Sequence, residues 1–192
     1  IGNDISASGT GLYVGGSDLG PGIGGALIWS NSQYRNADFI IADNNLHNNT
    51  TYGCVLQIKG MTMTGNYIVR NGTGTSIGGC AISSSSFAIT GNVVNSNSYF
   101  GLDIGFGNFG TVVGNSIFNN GNGIGTGIGL NLGATVGVTV GKNDVGGNGG
   151  ASGGYEVYAS ALDASGPGNY GPFVGDALTI DGLNIVIGYG QM

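Results

Sequence analysis

The stretch TGNYIVRNG, Thr64 to Gly72, sets two asparagines five residues apart around a short apolar run. TGNVVNSNS (Thr90 to Ser98) and VGNSIFNNG (Val113 to Gly121) repeat it almost residue for residue. Working outward, five pairs align: Asn44/Asn49, Asn66/Asn71, Asn92/Asn97, Asn115/Asn120 and Asn143/Asn148. Their first members are 22, 26, 23 and 28 residues apart. An apolar residue follows each first asparagine by two places (Leu46, Ile68, Val94, Ile117, Val145). Another precedes it by three (Ile41, Met63, Ile89, Val112, Val140). Self-similarity at this period is the mark of a repeat architecture.

A second strand follows each turn after a loop of variable length: Cys54 to Ile58, Cys80 to Ser84, Gly101 to Gly105, Gly129 to Gly133 and Glu156 to Ser160. An upstream copy is expected at Gly25 to Ser30, preceded by a degenerate one at Gly11 to Gly16. These runs are short, alternate at period two and are bounded by glycines, which is strand chemistry; no segment shows a sustained 3.6-residue period. At about 3.3 Å per residue, three short strands and their turns consume about one repeat. A rung cannot bury its apolar face alone, so the rungs stack in parallel around one core.

The turn Gly-Asn-x-[Val/Ile]-x-x-Asn after an apolar strand resembles the right-handed parallel β-helix repeat of the pectin-lyase-like superfamily, over about residues 25–160. The resemblance implies an all-β, right-handed parallel β-helix (β-solenoid). Counting the copies predicts about six to eight rungs with Gly-rich variable loops. The domain reading is a β-helix over 1–160, its first rungs (1–30) degenerate, and a C-terminal rung or tail over 161–192. The superfamily holds lyases, hydrolases, tailspikes, adhesins and inert stalks, so the resemblance speaks to fold more than to activity.

In this frame Asn44, Asn66, Asn92, Asn115 and Asn143 form a structural ladder. A sharp bend favours a residue tolerant of left-handed φ, which asparagine is. Stacked about 4.8 Å apart, its amides can donate and accept along the coil. Gly65, Gly91 and Gly114 suit the approach, while Asp43 and Lys142 stand at that place in the outer copies.

Composition agrees with a folded, unusual chain. Of 192 residues 43 are glycine, 7% are charged and 40% are hydrophobic; disorder needs low hydrophobicity and high charge. The net charge is −6, with only Arg35, Lys59, Arg70 and Lys142 basic, too few cations for nucleic acid. No apolar run approaches the roughly 18 residues of a membrane span. The start at Ile1 and a composition rich in Asn, Gly, Ser and Thr fit an exported chain. The expected localisation is extracellular or on a cell or virion surface.

Cys54 and Cys80 hold the same place in successive rungs. Two readings stand: a buried stack of small thiols, or a disulfide clipping two rungs in an exported setting. Without further thiols and with one histidine, no metal site or cofactor is expected. His47 reads as an exposed turn residue. A hydrolase of this fold calls for two or three acids on adjacent rungs. Asp103 is read as outward, stacked between Ser83 and Asn131; Glu156 lies on a later rung at another offset. Asp103 is thus the weak catalytic candidate, and enzyme activity is not favoured. The run Gly121 to Gly133 has nucleotide-loop spacing but no following helix. Sequons begin at Asn48, Asn49 and Asn71.

The positions four and two before each anchor asparagine are Ile40/Ala42, Thr62/Thr64, Ala88/Thr90, Thr111/Val113 and Thr139/Gly141. They predict a flat, uncharged outward stripe. Solvated sheet, lateral packing against a subunit and an ice-like water-ordering surface are its three readings, with Thr62, Thr64, Thr90, Thr111 and Thr139 as possible contacts. A second face through Gln57, Ser83, Asp103, Asn131 and Tyr158 is polar. The apolar tail, with Ile180, Ile185, Val186 and Ile187, offers a further subunit contact. Uncharged ends invite addition. The expected function is a structural, self-assembling extracellular β-solenoid forming a fibre or surface filament by end-to-end stacking or strand donation, hence a homo-oligomer or polymer. The alternative is a glycan-binding or glycan-cleaving β-helix whose partner is an extracellular polysaccharide, with Trp29, Tyr34, Tyr99 and Phe100 as loose aromatic candidates.

Overall fold

The computed structural model describes residues 1–6, 8, 10–15, 26–29, 38–73, 78–121, 127–136, 138–149, 155–159, 173–174, 179–181 and 185–187. Among these, every regular element is a strand. One turn of the coil runs through β4 (Asp38–Ala42), β5 (Asn45–His47) and β6 (Tyr52–Gln57). The next turn is β7 (Gly60–Thr64), β8 (Tyr67–Val69) and β9 (Cys80–Ser84). Then follow β10 (Ser86–Thr90), β11 (Val93–Asn95) and β12 (Phe100–Asn108), and β13 (Gly110–Val113), β14 (Ser116–Phe118) and β15 (Ile128–Val136). Beyond them β16 (Thr139–Gly141), β17 (Asp144–Gly146) and β18 (Tyr155–Ala159) extend the sheets. The short β19 (Phe173–Val174), β20 (Thr179–Asp181) and β21 (Ile185–Ile187) extend them again. At the other end lie β1 (Asp4–Ser6), β2 (Thr10–Gly15) and β3 (Ala26–Trp29).

Three parallel sheets result. Sheet A runs β1-β5-β8-β11-β14-β17-β20, sheet B β21-β18-β15-β12-β9-β6-β2-β3, and sheet C β19-β16-β13-β10-β7-β4. The chain is a parallel β-solenoid of about four turns. This corrects the six to eight rungs expected. Gly11 to Gly16 and Gly25 to Ser30 do not form successive complete rungs: β2 docks beside β6 and β3 beside β2, with no strand of sheet C at either level among the described residues. The proposed boundary at residues 160 and 161 lies outside the described residues.

Alternation decides which side chains enter. Ile41, Met63, Ile89, Val112 and Val140 line the core from sheet C, and Leu46, Ile68, Val94, Ile117 and Val145 from sheet A. Sheet B adds Cys54, Leu56, Cys80, Ile82, Leu102, Ile104, Leu130, Leu132 and Val157. Each turn thus stacks equivalent residues over one another, and only neighbouring turns complete the packing.

Between sheets C and A runs the first asparagine ladder. The side-chain carbonyl of each member accepts both the backbone N–H and Nδ2–H of the asparagine one turn earlier, at 2.9–3.0 Å from Asn44 to Asn143. A further Nδ2 bond goes back to a strand carbonyl: Asn66 to Ile41, Asn92 to Met63, Asn115 to Ile89 and Asn143 to Val112. The second ladder, Asn49, Asn71, Asn97, Asn120 and Asn148, repeats this arrangement. All ten asparagines are buried, and in the interior turns their amides are met by bonds that only a stacked neighbour supplies.

The left-handed backbone does not fall on these asparagines. It falls on the residue before the first, Asp43 (φ 57°), Gly65 (65°), Gly91 (64°), Gly114 (69°) and Lys142 (52°), and before the second, Asn48, Arg70, Ser96, Asn119 and Gly147. Two tasks are therefore divided. The preceding residue turns the chain, which glycine does without strain, and asparagine supplies the amide.

Cys54 and Cys80 are paired across β6 and β9 and joined by a disulfide. Of the two sequence readings, the staple holds and the free thiols do not. The sequons at Asn49 and Asn71 belong to the buried second ladder, at 1% and 0% exposure, leaving only Asn48 exposed among the three.

Asn92→Leu keeps the volume but orphans the Asn66 donors and the Met63 carbonyl, so urea denaturation is expected to show a loss of about 3 kcal/mol or more. A loss below about 1 kcal/mol would remove the ladder from the centre of the stability argument. Thiol titration of the denatured chain should find no free thiol before reduction and two after it, and reduction should destabilise by about 3 kcal/mol for a loop of this size.

Candidate functional site

Sheet B turns one polar spot outward. Parallel registration aligns Val55, Ala81, Asp103, Asn131 and Tyr158 in one row. Asp103 therefore sits between Ala81 and Asn131, not between Ser83 and Asn131 as expected. The cause is the register of β12 on β9, which pairs Leu102 with Cys80 and Ile104 with Ile82; beyond them the register shifts at Gly105, and Ser83 is paired with Phe106. The Gly105 position has nothing within 4 Å of where a Cβ would stand, so the irregularity opens space beside Asp103. Val55, Gln57, Ala81, Ile82, Ser83, Asp103 and Gly105 line a shallow depression of about 100 Å³.

Asn131 Nδ2 donates to Asp103 Oδ1 at 2.7 Å. Its own Oδ1 is buried and receives no donor among the described residues. Burial pushes the Asp103 carboxyl above the usual carboxylate range, and the Asn131 bond opposes that shift in part. Tyr52, on β6, is raised above the ordinary phenol value by burial and then by the Asp103 charge. Tyr99 and Phe100 meet edge to face, ring centroids 4.5 Å apart. The aromatics Trp29 and Tyr34 have no described side chain.

One carboxyl with one amide can hold a hydroxyl or accept a proton. It cannot supply the acid and base, or acid and nucleophile, that glycoside cleavage divides between two carboxyls. Asp4 and Asp144 belong to sheet A, and Asp43 to the turn between sheets C and A; none shares the face of Asp103. The side chain of Glu156 lies outside the described residues. No group of three metal-ligating side chains occurs among the described residues, and no helix is long and apolar enough to cross a membrane.

The Thr-rich stripe has the expected register. Ile40, Thr62, Ala88, Thr111 and Thr139 form one row on sheet C, and Ala42, Thr64, Thr90, Val113 and Gly141 the other. Thr90 Oγ donates to Thr64 Oγ at 3.4 Å. Ile40 is 63% exposed, whereas Ala42 is buried, and the Gly2 N–H bonds its carbonyl. The stripe is therefore covered at one corner by the N-terminus. In the tail, Ile180 lies in β20 and Ile185, Val186 and Ile187 in β21; their side chains are outside the described residues.

His47 departs from expectation. Half-buried rather than exposed, it pairs through Nε2 with Asp4 Oδ1 at 2.7 Å, while Asn48 Nδ2 meets Nδ1 at 2.9 Å. This follows from β1, which docks in parallel on β5 at a sequence offset of 41. The signal was present in Gly2-Asn3-Asp4-Ile5-Ser6-Ala7-Ser8, a degenerate copy of Gly65 to Asn71. Gly2 has φ 66°, Asn3 donates twice to Asn44 Oδ1, and the Ser8 N–H donates to Asn49 Oδ1.

The folded chain holds the Asp103 proton more tightly than the unfolded chain, so the folded state binds more protons as the carboxyl titrates. Stability then falls as pH rises through and above the usual aspartate range. Asp103→Asn should flatten that fall, raise stability at neutral pH and return the Tyr52 phenol toward its ordinary value, read by tyrosinate absorbance. An unchanged pH profile would show that Asp103 is well solvated. No protein-family model, curated protein or solved structure matches the chain.

Proposed function

We propose that this chain is a structural β-solenoid that assembles with copies of itself, outside the cell or on a cell or virion surface. The observation that carries this reading is a step between the sheets. Among the described residues, sheet C stops at β4, sheet A continues one strand further to β1, and sheet B two further, to β2 and β3. The outer edge of β4 has no strand partner among the described residues, and an unpaired edge is a template for another strand. The uncharged sheet C stripe, with Thr62, Thr111 and Thr139 exposed beside Ile40, offers a lateral contact of the same kind. The disulfide supports an oxidising compartment. We take the coil to be right-handed, the hand of nearly all parallel crossovers and of the pectin-lyase-like repeat it resembles.

A second reading rests on the Asp103 depression. Its apolar floor at Val55 and Ala81, with Gln57, Ser83 and the Asp103 carboxyl beside it, suits contact with a sugar ring, which would make this face a binding surface for an extracellular polysaccharide.

Light scattering and negative-stain microscopy across a wide concentration range separate the two. Assembly predicts a mass that rises with concentration and elongated particles built from whole subunits. A monomer mass throughout would overturn it. Chemical-shift changes around Asp103 on adding neutral or acidic oligosaccharides would favour the second reading.

A further inference from the structure

Resting on the assembly reading, we infer that the junction between copies is made by the first asparagine ladder itself, head to tail, with Asn3 of one copy closing onto Asn143 of the next. The ladder has a direction. Every member donates toward the later turn and accepts from the earlier one. Its two ends are therefore complementary rather than alike.

At the early end stands Asn3. Its backbone N–H and Nδ2 donate to Asn44 Oδ1 at 3.1 and 2.9 Å, and nothing donates to its own Oδ1 among the described residues. At the late end stands Asn143. It accepts from Asn115 and returns an Nδ2 bond to the Val112 carbonyl. Its backbone N–H meets no acceptor among the described residues, although Asn143 is 1% exposed. A buried donor left unpaired is destabilising, and an acceptor brought to it relieves that cost. The chain's own next strand brings no remedy in sequence: Leu178, not asparagine, precedes β20 as Asn143 precedes β17.

Strand β1 of a second copy carries what is missing. It has the left-handed Gly2, the ladder residue Asn3 and the inward Ile5 that every interior turn repeats. Placed on β17 as β5 now lies on β1, with its other edge still on β5, it would put its Asn3 Oδ1 against both Asn143 donors. In the same movement β19 of the first copy would stand against β4 of the second, filling the step in sheet C. β18 would then claim the edge of β2 now held by β3, so the junction is a strand exchange in which β3, β20 and β21 give way. A contact in which unlike ends meet does not close on itself, and a linear polymer follows. Asp144 would lie beside the incoming Asp4, both exposed, so salt that screens this pair favours the junction.

The test compares the wild-type chain with Asn3→Leu and Leu178→Asn by concentration-dependent light scattering, with circular dichroism as the check on folding. Asn3→Leu removes the acceptor that the second copy brings, and should raise the concentration needed for assembly about tenfold or more. Leu178→Asn gives the chain's own tail that acceptor and should suppress assembly likewise; it remains decisive should Asn3→Leu misfold. Wild-type assembly with both variants indistinguishable from it would overturn the ladder junction and leave the assembly reading standing. A wild-type chain that never assembles would overturn both.

Discussion

A buried primary amide is expensive unless all its donors and acceptors are met, and in this protein a stacked copy of the same amide is what meets them. An asparagine on one turn takes two bonds from the turn before and gives two to the turn after. That requirement fixes the distance between turns, forces the strands to run parallel and holds corresponding residues in line. Loops between the sheets can vary by several residues without disturbing it. The apolar core follows from this alignment: once Asn66 and Asn92 are stacked, Met63 lies over Ile89 and Ile68 over Val94. Hydrophobic burial supplies most of the driving force, while the amides decide which arrangement receives it.

Much of this is legible in the chain because the period shows itself five times. The inward positions, the ladder members and the register of the Thr-rich stripe all follow from the spacing of the asparagine pairs, since a repeat tests each assignment against its copies. Assigning the left-handed φ to asparagine fails for an instructive reason. In three of the five copies a glycine directly precedes the asparagine (Gly65, Gly91, Gly114), and propensity alone cannot separate the residue that bends from the residue that bonds.

What stays hidden is what the repeat does not average. The neighbour of Asp103 depends on Leu102, not Gly101, pairing with Cys80, an offset that the variable loop before β12 leaves open. The partner of His47 depends on β1 returning from far upstream, and its motif is masked by serine at the second ladder place. The choice between thiols and disulfide at Cys54 and Cys80 turns on distance, which registration alone brings within bonding range. Function is the least legible layer, because the most recognisable residues of the repeat lie inside.

The disulfide between neighbouring turns has a mechanical side. It closes the chain between Cys54 and Cys80, a separation of 26 residues. Under tension applied to the two ends, turns peel away and release chain length, but this segment cannot extend while the bond stands. About 90 Å of contour is withheld at some 3.5 Å per residue. Force reaching Cys54 passes directly to Cys80 and bypasses the intervening turn. One covalent link thus makes the middle of the coil a unit that bears load without unravelling.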